Sequence, residues 1–296
     1  MSYQHKIGTT PTILIYIVIT VFSVACLIPF LFILSGSFTD EMEIIHKGFT
    51  LIPSKTSYSS WVMLSHDLNT IVNGYIITVS VTVVGTLLSL LVTSLMAYPL
   101  SVATLRYRNV IAFYAFFTMI FSGGIVPWYI IVSNVLHLRN TFLALILPYT
   151  INAWNMFLLR NFFRTIPKEL AESAKIDGAP EITIFARLIL PLSTPGLATV
   201  GLFIALGYWN DWWLSLMFIE NRHLYPVQLM LRAIISNVQF LRTSVAQTIA
   251  SDASRILPFE GVKMATCLVT IGPIILLYPF VQRYFMKGII VGAVKG

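Results

Sequence analysis

The polar residues with the most informative types and spacing form the segment Glu172–Ala179, which is followed by Leu190 and Pro191. It reads Glu-Ser-Ala-Lys-Ile-Asp-Gly-Ala and lies between two long apolar runs. An acidic helix end followed by a glycine break suits a charged docking contact better than it suits catalysis. A second interpretation is equally open from the residues alone. It is an amphipathic helix pair on a membrane surface, with Lys168 and Glu172 as an i, i+4 ion pair.

A second group, Trp209-Asn210-Asp211-Trp212-Trp213, combines indole rings with an amide and a carboxylate. An aromatic ring can stack on the apolar face of a sugar, while amide or carboxylate groups bond its hydroxyls. The alternative is the aromatic belt at a membrane boundary, which accounts for the tryptophans and leaves Asn210 and Asp211 unexplained. Asn152 and Asn155 are further candidates for lining a substrate pathway through a membrane. The alternative for both is hydrogen bonding between helices.

Residues for other chemistry are scattered or absent. The five histidines, at positions 5, 46, 66, 137 and 223, lie outside the apolar runs. No Ser/His/Asp, paired-carboxylate or metal-ligand spacing is visible, and Cys26 and Cys267 lie inside apolar runs. The sequence has no Gly-rich Lys-Ser/Thr loop for ATP. We therefore expect a protein that is not an enzyme and that has no metal or cofactor of its own.

The composition indicates which elements position these groups. Charged residues make up 10% of the 296-residue chain and apolar residues 57%, whereas soluble domains carry about 25% charged residues. Backbone polar groups cannot stay unpaired in hydrocarbon, and the apolar runs are continuous rather than alternating, which favours helices over a barrel. We expect an all-α polytopic membrane protein, a single domain over residues 1–296 with six spans. The spans are predicted at about 12–34, 71–99, 110–132, 141–160, 195–219 and 262–283.

The placement of lysine and arginine predicts the orientation of these spans. With the N-terminus inside, the inside segments hold 11 of these residues and the outside segments hold 8, five of them in or beside the long segment 220–261. Long loops count less, so both termini are predicted to be cytoplasmic. The net charge of +7 fits this bias better than nucleic-acid binding. Outside arginines, at 222, 232, 242 and 255, could attract an acidic sugar or an acidic protein surface, with a solvated loop as the alternative.

The cytoplasmic segment 161–194 is predicted to fold as two short helices joined by a tight turn. Pro167 suits the first turn of the first helix. Gly178 can adopt the left-handed conformation that ends it. Pro180 can then open a second helix that stops at Pro191.

The motif at residues 172–179, completed by Leu-Ile-Leu-Pro ending at Pro191, resembles the EAA motif of ATP-binding-cassette importer permeases. Ser173 stands where that family usually has alanine, and it is equally small and compatible with a helix. The resemblance covers nearly the whole chain and is to carbohydrate-type permeases of the oligosaccharide-importing subgroup, which have the type I importer fold. It is also carried by Phe121-Ser122-Gly123-Gly124 with Pro127, by Asn140-Thr141, by Trp209-Asn210-Asp211-Trp212 and by Tyr284-Phe285-Met286-Lys287-Gly288.

The resemblance implies the permease subunit of an ATP-driven sugar importer in a bacterial cell membrane, working by alternating access. The coupling helix would sit in a groove of a cytoplasmic ATPase dimer, which binds ATP and Mg²⁺. A second, homologous permease, usually a different chain, and an extracytoplasmic solute-binding protein would complete the complex, without nucleic acid. Glu172 would make a charged contact with the ATPase, Gly178 would let the turn approach it closely, and two alanines would allow tight packing. The residues implied in coupling are Glu172, Ala174, Asp177, Gly178, Ala179 and Pro191.

Two other functions compete with this one. A self-contained secondary transporter or channel for a small polar solute should have charged relay residues in several spans and internal repeats. Only Asp211 is plainly intramembrane, and no repeat is evident. A membrane enzyme should have a catalytic constellation, and none is visible.

Overall fold

The computed structural model of the chain describes residues 9–66, 68–248 and 258–272. The described residues form helices joined by loops, with an isolated antiparallel bridge between Thr39 and Thr56. The all-α expectation is thereby confirmed. The α-helices are α1 (Thr9–Ser37), α2 (Glu41–Lys47), α3 (Ser59–Ser65), α4 (Leu68–Ser101), α5 (Arg108–Ile120), α6 (Ile125–Ile130), α7 (Ala153–Phe163), α8 (Lys168–Ile176), α9 (Glu181–Ile184), α10 (Leu190–Leu192), α11 (Thr194–Trp209), α12 (Trp213–Phe218) and α13 (Val227–Thr248), with a further helix over residues 259–272.

The described residues divide into two compact units. The first contains α1, α2, α3 and the described part of residues 233–272. The second contains residues 69–232, and with them all the candidate pathway and docking residues named from the sequence. The long helix α13 contributes its first turns to the second unit and the rest to the first.

Two buried carboxylates hold the first unit together around α2. Glu41 accepts a hydrogen bond from the backbone N–H of Gly261, at 3.2 Å, at the start of the last described helix. Glu43 accepts hydrogen bonds from the backbone N–H groups of Ser54 at 3.0 Å and Lys55 at 2.6 Å. These backbone donors lower the pKa of Glu43 below its ordinary value. Burial of both side chains is thus compensated by backbone hydrogen bonds.

The second unit is built on the close approach of α4 and α11. A Cβ atom on Gly85 of α4 would lie 2.8 Å from the ring of Tyr208 on α11. The Tyr208 hydroxyl lies 2.9 Å from the Ser89 hydroxyl and donates to the backbone oxygen of Ile146 at 2.9 Å. Small residues at the interface let apolar helices approach closely enough for such contacts. The buried positions on α4 are correspondingly small over much of its length, at Gly74, Thr78, Gly85, Ser89, Thr93, Ser94 and Ala97.

Two of the predicted spans are bent, and in the first of them Gly123 and Gly124 with Pro127 already indicate a break from the sequence. Within the predicted span 110–132, α5 and the following helical pair, Ile125–Val135, meet at 109°. Gly124 lies at the bend with φ +86°, a conformation that glycine adopts without steric cost. Within the predicted span 141–160, the segment Phe142–Tyr149 is 3₁₀-helical and meets α7 at 55°.

The predicted span 195–219 is interrupted as well. The helix α11 ends at Trp209, and α12 begins at Trp213. Asp211 lies in the interruption, and its carboxylate accepts a hydrogen bond from the backbone N–H of Leu214 at 3.2 Å. A carboxylate that satisfies a free N–H group of a helix start favours a new helix over continuation of the old one. The continuous helix expected here is therefore replaced by two helices with a polar break.

The number of spans stays a prediction. Among the described residues, the two helices long and apolar enough to cross a membrane are Thr12–Ser37 and Leu68–Ser101, and there are up to five such spans if each bent pair is one span. The third bent pair is Glu181–Leu192 with Thr194–Trp209, at 81°. The predicted last span, 262–283, is helical over its described part to residue 272, and the rest of it lies outside the described residues, as do Tyr284–Gly288.

Candidate functional site

The turn between α8 and α9 has the local geometry that its sequence predicts. Gly178 has φ +80°, and its N–H donates to the Lys175 oxygen at 3.0 Å. The N–H of Ala179 donates to the Ala174 oxygen, also at 3.0 Å. These two bonds form a Schellman motif, which satisfies helix-end carbonyls and requires the left-handed residue that glycine provides. The helix α8 therefore ends at this turn, and α9 begins at Glu181.

One face of α8 packs on its own chain and the other is exposed. Ala171, Ala174 and Ala179 are half-buried against the hydrophobic core of the second unit. Glu172 is exposed, and Ile176 is 87% exposed. The resemblance implied that Ala174 and Ala179 allow tight packing. In the structure their small side chains lie against the core of this chain, and their role in coupling stays a prediction.

Asp177 and Pro191 differ in their placement. Asp177 is exposed at the C-terminal end of α8, and its N–H donates to the Ser173 oxygen at 3.1 Å. The expectation that the second helix stops at Pro191 is corrected, because the helical path continues through Pro191 to Leu192. A π-helical turn over Phe185–Ile189 precedes it. Such a turn shifts the hydrogen-bond pattern, so that a residue lacking an N–H group can be accommodated.

An ion pair that the sequence did not reveal joins the two helices to α4. The Lys175 ammonium lies 2.5 Å from the Glu181 carboxylate. The Tyr98 hydroxyl, from the end of α4, donates to the same carboxylate at 2.7 Å. Both interactions lower the pKa of Glu181 below its ordinary value. The partners Lys175 and Tyr98 are far apart in sequence, so no local pattern could have indicated this junction.

A cleft of about 530 Å³ opens beside Glu181. Its walls come from the end of α4, the following loop and α9. The contacts of Glu181 with Lys175 and Tyr98 are therefore polar and border an open cleft, whereas the alanines of α8 pack on the hydrophobic core. The lining residues are Leu95, Tyr98, Pro99, Val102, Thr104, Leu105, Arg106, Glu181, Ile182 and Phe185.

The residues Trp209–Trp213 do not share one exposed surface. Trp209 is 7% exposed and belongs to the interior of the second unit. Asn210 is exposed, and its side-chain amide donates to the Leu206 oxygen at 2.9 Å. Asp211 caps α12 through Leu214, which gives its carboxylate a structural role that the sequence did not suggest.

Two residues of α13 join the polar break after α11. The Gln228 amide lies 3.5 Å from the Asn210 side-chain oxygen. The Arg232 guanidinium carbon lies 3.8 Å from the centre of the Trp212 ring, and the Trp212 ring meets that of Trp213 edge to face. Gln228 was missed by the sequence reasoning. Its spacing from Arg232, four residues on an amphipathic helix, is the signal that could have found it.

No hydrogen bond among the described residues joins Asn152, at the start of α7, or Asn155, within α7, to this cluster. Asn152 accepts a hydrogen bond from the backbone N–H of Asn155 at 3.0 Å and so caps α7. This is a bond within one element, whereas the alternative weighed from sequence was a bond between helices. The pathway assignment of both residues stays a prediction.

Comparison with known proteins gives a consistent result. Residues 70–291 match the family described as binding-protein-dependent transport system inner membrane component. The polygalacturonan/rhamnogalacturonan transport system permease protein of Bacillus subtilis is 38% identical over 284 residues, which are 96% of this chain and 97% of that protein. An arabinooligosaccharides transport system permease protein of Halalkalibacterium halodurans is 28% identical over 90% of this chain and 91% of its own length.

A solved structure has the same fold. It is the crystal structure of a bacterial ABC transporter involved in the import of the acidic polysaccharide alginate. One of its chains superimposes with a TM-score of 0.79 and 26% sequence identity, covering 96% of this chain and all of that one.

Proposed function

Because the chain belongs to the family of binding-protein-dependent transport system inner membrane components, we propose that it moves oligosaccharides into a bacterial cell as one permease subunit of an ATP-driven importer. The chain itself is a transport subunit, and ATP is hydrolysed by a partner. The relatives named above for polygalacturonan, rhamnogalacturonan and arabinooligosaccharides support a sugar as the cargo. The indole and amide groups around Trp212 and Asn210 fit such a cargo chemically.

The observation that carries the proposal is the mounting of α8. This helix rests on the core through Ala171 and Ala174, ends at the turn of Gly178 and is tied to α4 by the Glu181 junction. Its outer face presents Glu172 and Ile176. An element that passes movement from a partner to the spans needs an exposed contact face and a firm attachment to those spans, and α8 has both.

The partners follow from this role. A cytoplasmic ATPase dimer, with its own ATP and Mg²⁺, would receive α8 in a surface groove. A second, homologous permease would complete the pathway, because the spans of one chain are too few to enclose an oligosaccharide. A solute-binding protein would deliver the sugar from outside, in keeping with the family description. We propose six spans in each chain, with both termini in the cytoplasm.

The broken helices support a pathway through the second unit. Discontinuous spans are typical of transporters, where polar backbone groups line a cavity that substrate crosses. Here the breaks fall at residues 121–124, at 150–152 and at 210–212. They also offer positions at which the angle between helical halves can change during alternating access.

Purification of the tagged chain from its native membrane tests this proposal. We expect an ABC-type ATPase and a second permease to purify with it in a fixed ratio. We further expect the ATPase activity of that complex, in lipid nanodiscs, to rise when sugar-loaded binding protein is added. If the chain purifies alone and carries solute in liposomes without an ATPase, the secondary-transporter alternative is correct instead.

A further inference from the structure

We propose that Arg232, whose guanidinium lies over the Trp212 ring, binds the carboxylate of an acidic sugar unit during passage. The inference rests on the proposed function and deepens it, because it names uronate-containing oligosaccharides as the cargo class. It is carried by the side-chain cluster of Asn210, Trp212, Gln228 and Arg232, which all lie in the second unit.

The contact of Arg232 with Trp212 leaves its hydrogen-bond donors free of any other described residue. The guanidinium carbon lies 3.8 Å above the Trp212 ring centre, which is cation–π contact distance. A guanidinium donates its N–H groups in its own plane, so a ring against its face blocks none of them. The ring also restricts the side chain, which reduces the entropy lost when the fork binds a carboxylate.

The positive charge of Arg232 is not balanced within the described part of the chain. Arg232 forms no ion pair with a carboxylate among the described residues. The nearest carboxylate in sequence to Trp212 is that of Asp211, and it is engaged by the N–H of Leu214 at the start of α12. Arg232 itself is exposed. An exposed, oriented cation without a counterion is receptive to an anionic ligand group.

The neighbouring groups are suited to a carbohydrate rather than to a simple anion. The Gln228 amide nitrogen lies 3.5 Å from the Asn210 side-chain oxygen, at the outer limit of a hydrogen bond, so Gln228 can turn to a sugar hydroxyl at small cost. The Asn210 amide is held in place by its bond to the Leu206 oxygen, which leaves its side-chain oxygen to accept from a sugar hydroxyl. Gln228 and Arg232 are four residues apart on α13 and so lie on one face of that helix. Asn210 and Gln228 can bind the hydroxyls of a uronate unit, and the Arg232 guanidinium beside them can bind its carboxylate.

The test compares an acidic ligand with its neutral ester. Trigalacturonate and its methyl ester share a backbone and differ in charge. Their affinities are measured by titration calorimetry on the assembled complex in nanodiscs, without binding protein. We expect the wild-type complex to bind the acid roughly tenfold more tightly than the ester, as a charged hydrogen-bonded pair allows. The Arg232→Gln variant should lose this preference while its affinity for the ester is unchanged.

Matched variants separate recognition from general charge or folding effects. Arg222→Gln removes another exposed arginine outside the cluster and should keep the preference. Trp212→Leu should reduce the preference and Trp212→Phe should restore most of it, because a ring again holds the guanidinium. Arg232→Lys should bind the acid less well than wild type, since an ammonium has no planar fork.

Several results would overturn the inference. One is a wild-type complex with no preference for the acid up to millimolar ligand, and another is an Arg232→Gln complex that retains it. Equal loss of acid and ester binding would mean that Arg232 only supports the local fold. Unchanged sugar binding with weaker docking of the binding protein would assign Arg232 to a protein contact instead. A complex that imports neutral oligosaccharides alone leaves the proposed function standing, whereas one that responds to no sugar refutes the proposed function itself.

Discussion

At the scale of single residues, Glu181 joins the proposed docking segment, which comprises α8, the turn at Gly178 and α9, to the end of α4. Its carboxylate receives the Lys175 ammonium from α8 and the Tyr98 hydroxyl from α4. The pair with Lys175 is partly exposed, and exposed ion pairs contribute little to stability on their own. The shared carboxylate matters more for position, because it fixes the direction in which α9 leaves the turn at Gly178.

The pH dependence of this junction can be predicted from the lowered pKa of Glu181. Because the folded-state pKa lies below the ordinary value of 4.5, the stabilisation is present above that pH and is lost as the pH falls through the folded-state pKa. We expect the melting temperature of the purified complex to fall on acidification below 4.5. Glu181→Gln should melt earlier at pH 7 and show a smaller acid-induced decrease.

The control for the Glu181 variant is Glu169→Gln, which removes an exposed carboxylate from the first turn of α8. It should retain the acid dependence of the wild type. If Glu181→Gln and wild type lose stability in parallel as the pH falls, the junction contributes nothing to the acid response.

The charge at Glu172 gives a sharper prediction for docking. Glu172→Lys should leave the chain inserted in the membrane, because the side chain is exposed and packs on nothing in the core. It should reduce the amount of ATPase that purifies with the chain, or abolish stimulation of the ATPase activity by sugar. The reason is that a positive charge would face the part of the partner's groove that we propose receives the negative charge of Glu172. Both quantities are measured on the tagged complex.

Charge reversal at Glu169 is the matched control for Glu172→Lys. It changes the net charge of α8 by the same amount and costs about 0.3–1 kcal/mol at the helix start. Normal sugar uptake and normal ATPase recovery in Glu172→Lys would refute the assignment of this face of α8 to docking.

At the scale of elements, sequence patterns predicted the turn at Gly178 and missed the contacts of Glu181 with Lys175 and Tyr98. Pro167 and Gly178 bracket α8 within one residue of their predicted roles, since Pro167 immediately precedes the helix and Gly178 has the left-handed φ of +80°. Turn chemistry is local and therefore readable from a single chain. The contact of Glu181 with Tyr98 spans 83 residues, and no local rule reports on it.

The breaks in the spans likewise include one that local sequence indicates and one that depends on side-chain contacts. Gly123 and Gly124 with Pro127 indicated the bend after α5, because glycine and proline act on the backbone directly. The interruption at Asp211 was not predicted, because a continuous apolar run looks the same whether or not one carboxylate turns back to cap a new helix. The role of Arg232 and Gln228 beside Trp212 depends on tertiary packing of α13 and was equally hidden.

The packing of α11 on its neighbours predicts a stability difference between two of its glycines. A Cβ atom on Gly196 would lie 2.6 Å from the Phe162 ring, whereas one on Gly207 would meet nothing within 4 Å. Gly196→Ala should destabilise the chain by about 1–3 kcal/mol through overpacking. Gly207→Ala should be neutral or stabilising by about 0.5–1 kcal/mol, because alanine favours a helix interior.

These two variants are compared by thermal unfolding of the purified complex. The same substitution in the same helix keeps helix propensity constant, so the difference isolates the contact with Phe162. Equal melting temperatures for the two variants would mean that α7 and α11 do not pack as closely as the structure indicates.

At the scale of the whole molecule, the chain is a permease subunit, and the proposed function assigns ATP hydrolysis and delivery of the sugar to other chains. Its second unit contains the docking segment, the broken helices and the Arg232 cluster. The family description names a binding-protein-dependent transport system, and we propose that a separate ATPase chain drives it. The first unit, organised by Glu41 and Glu43, contains no residue assigned to coupling or to the pathway.

The central claim is that this chain moves oligosaccharides only when driven by a partner ATPase. The most direct measurement is uptake of labelled oligosaccharide by proteoliposomes that contain the assembled complex, with ATP and binding protein each added or withheld. The account predicts accumulation against a gradient only when both are present, and none with Glu172→Lys. Uptake by the chain without an ATPase, or ATP hydrolysis that no oligosaccharide stimulates, would contradict it.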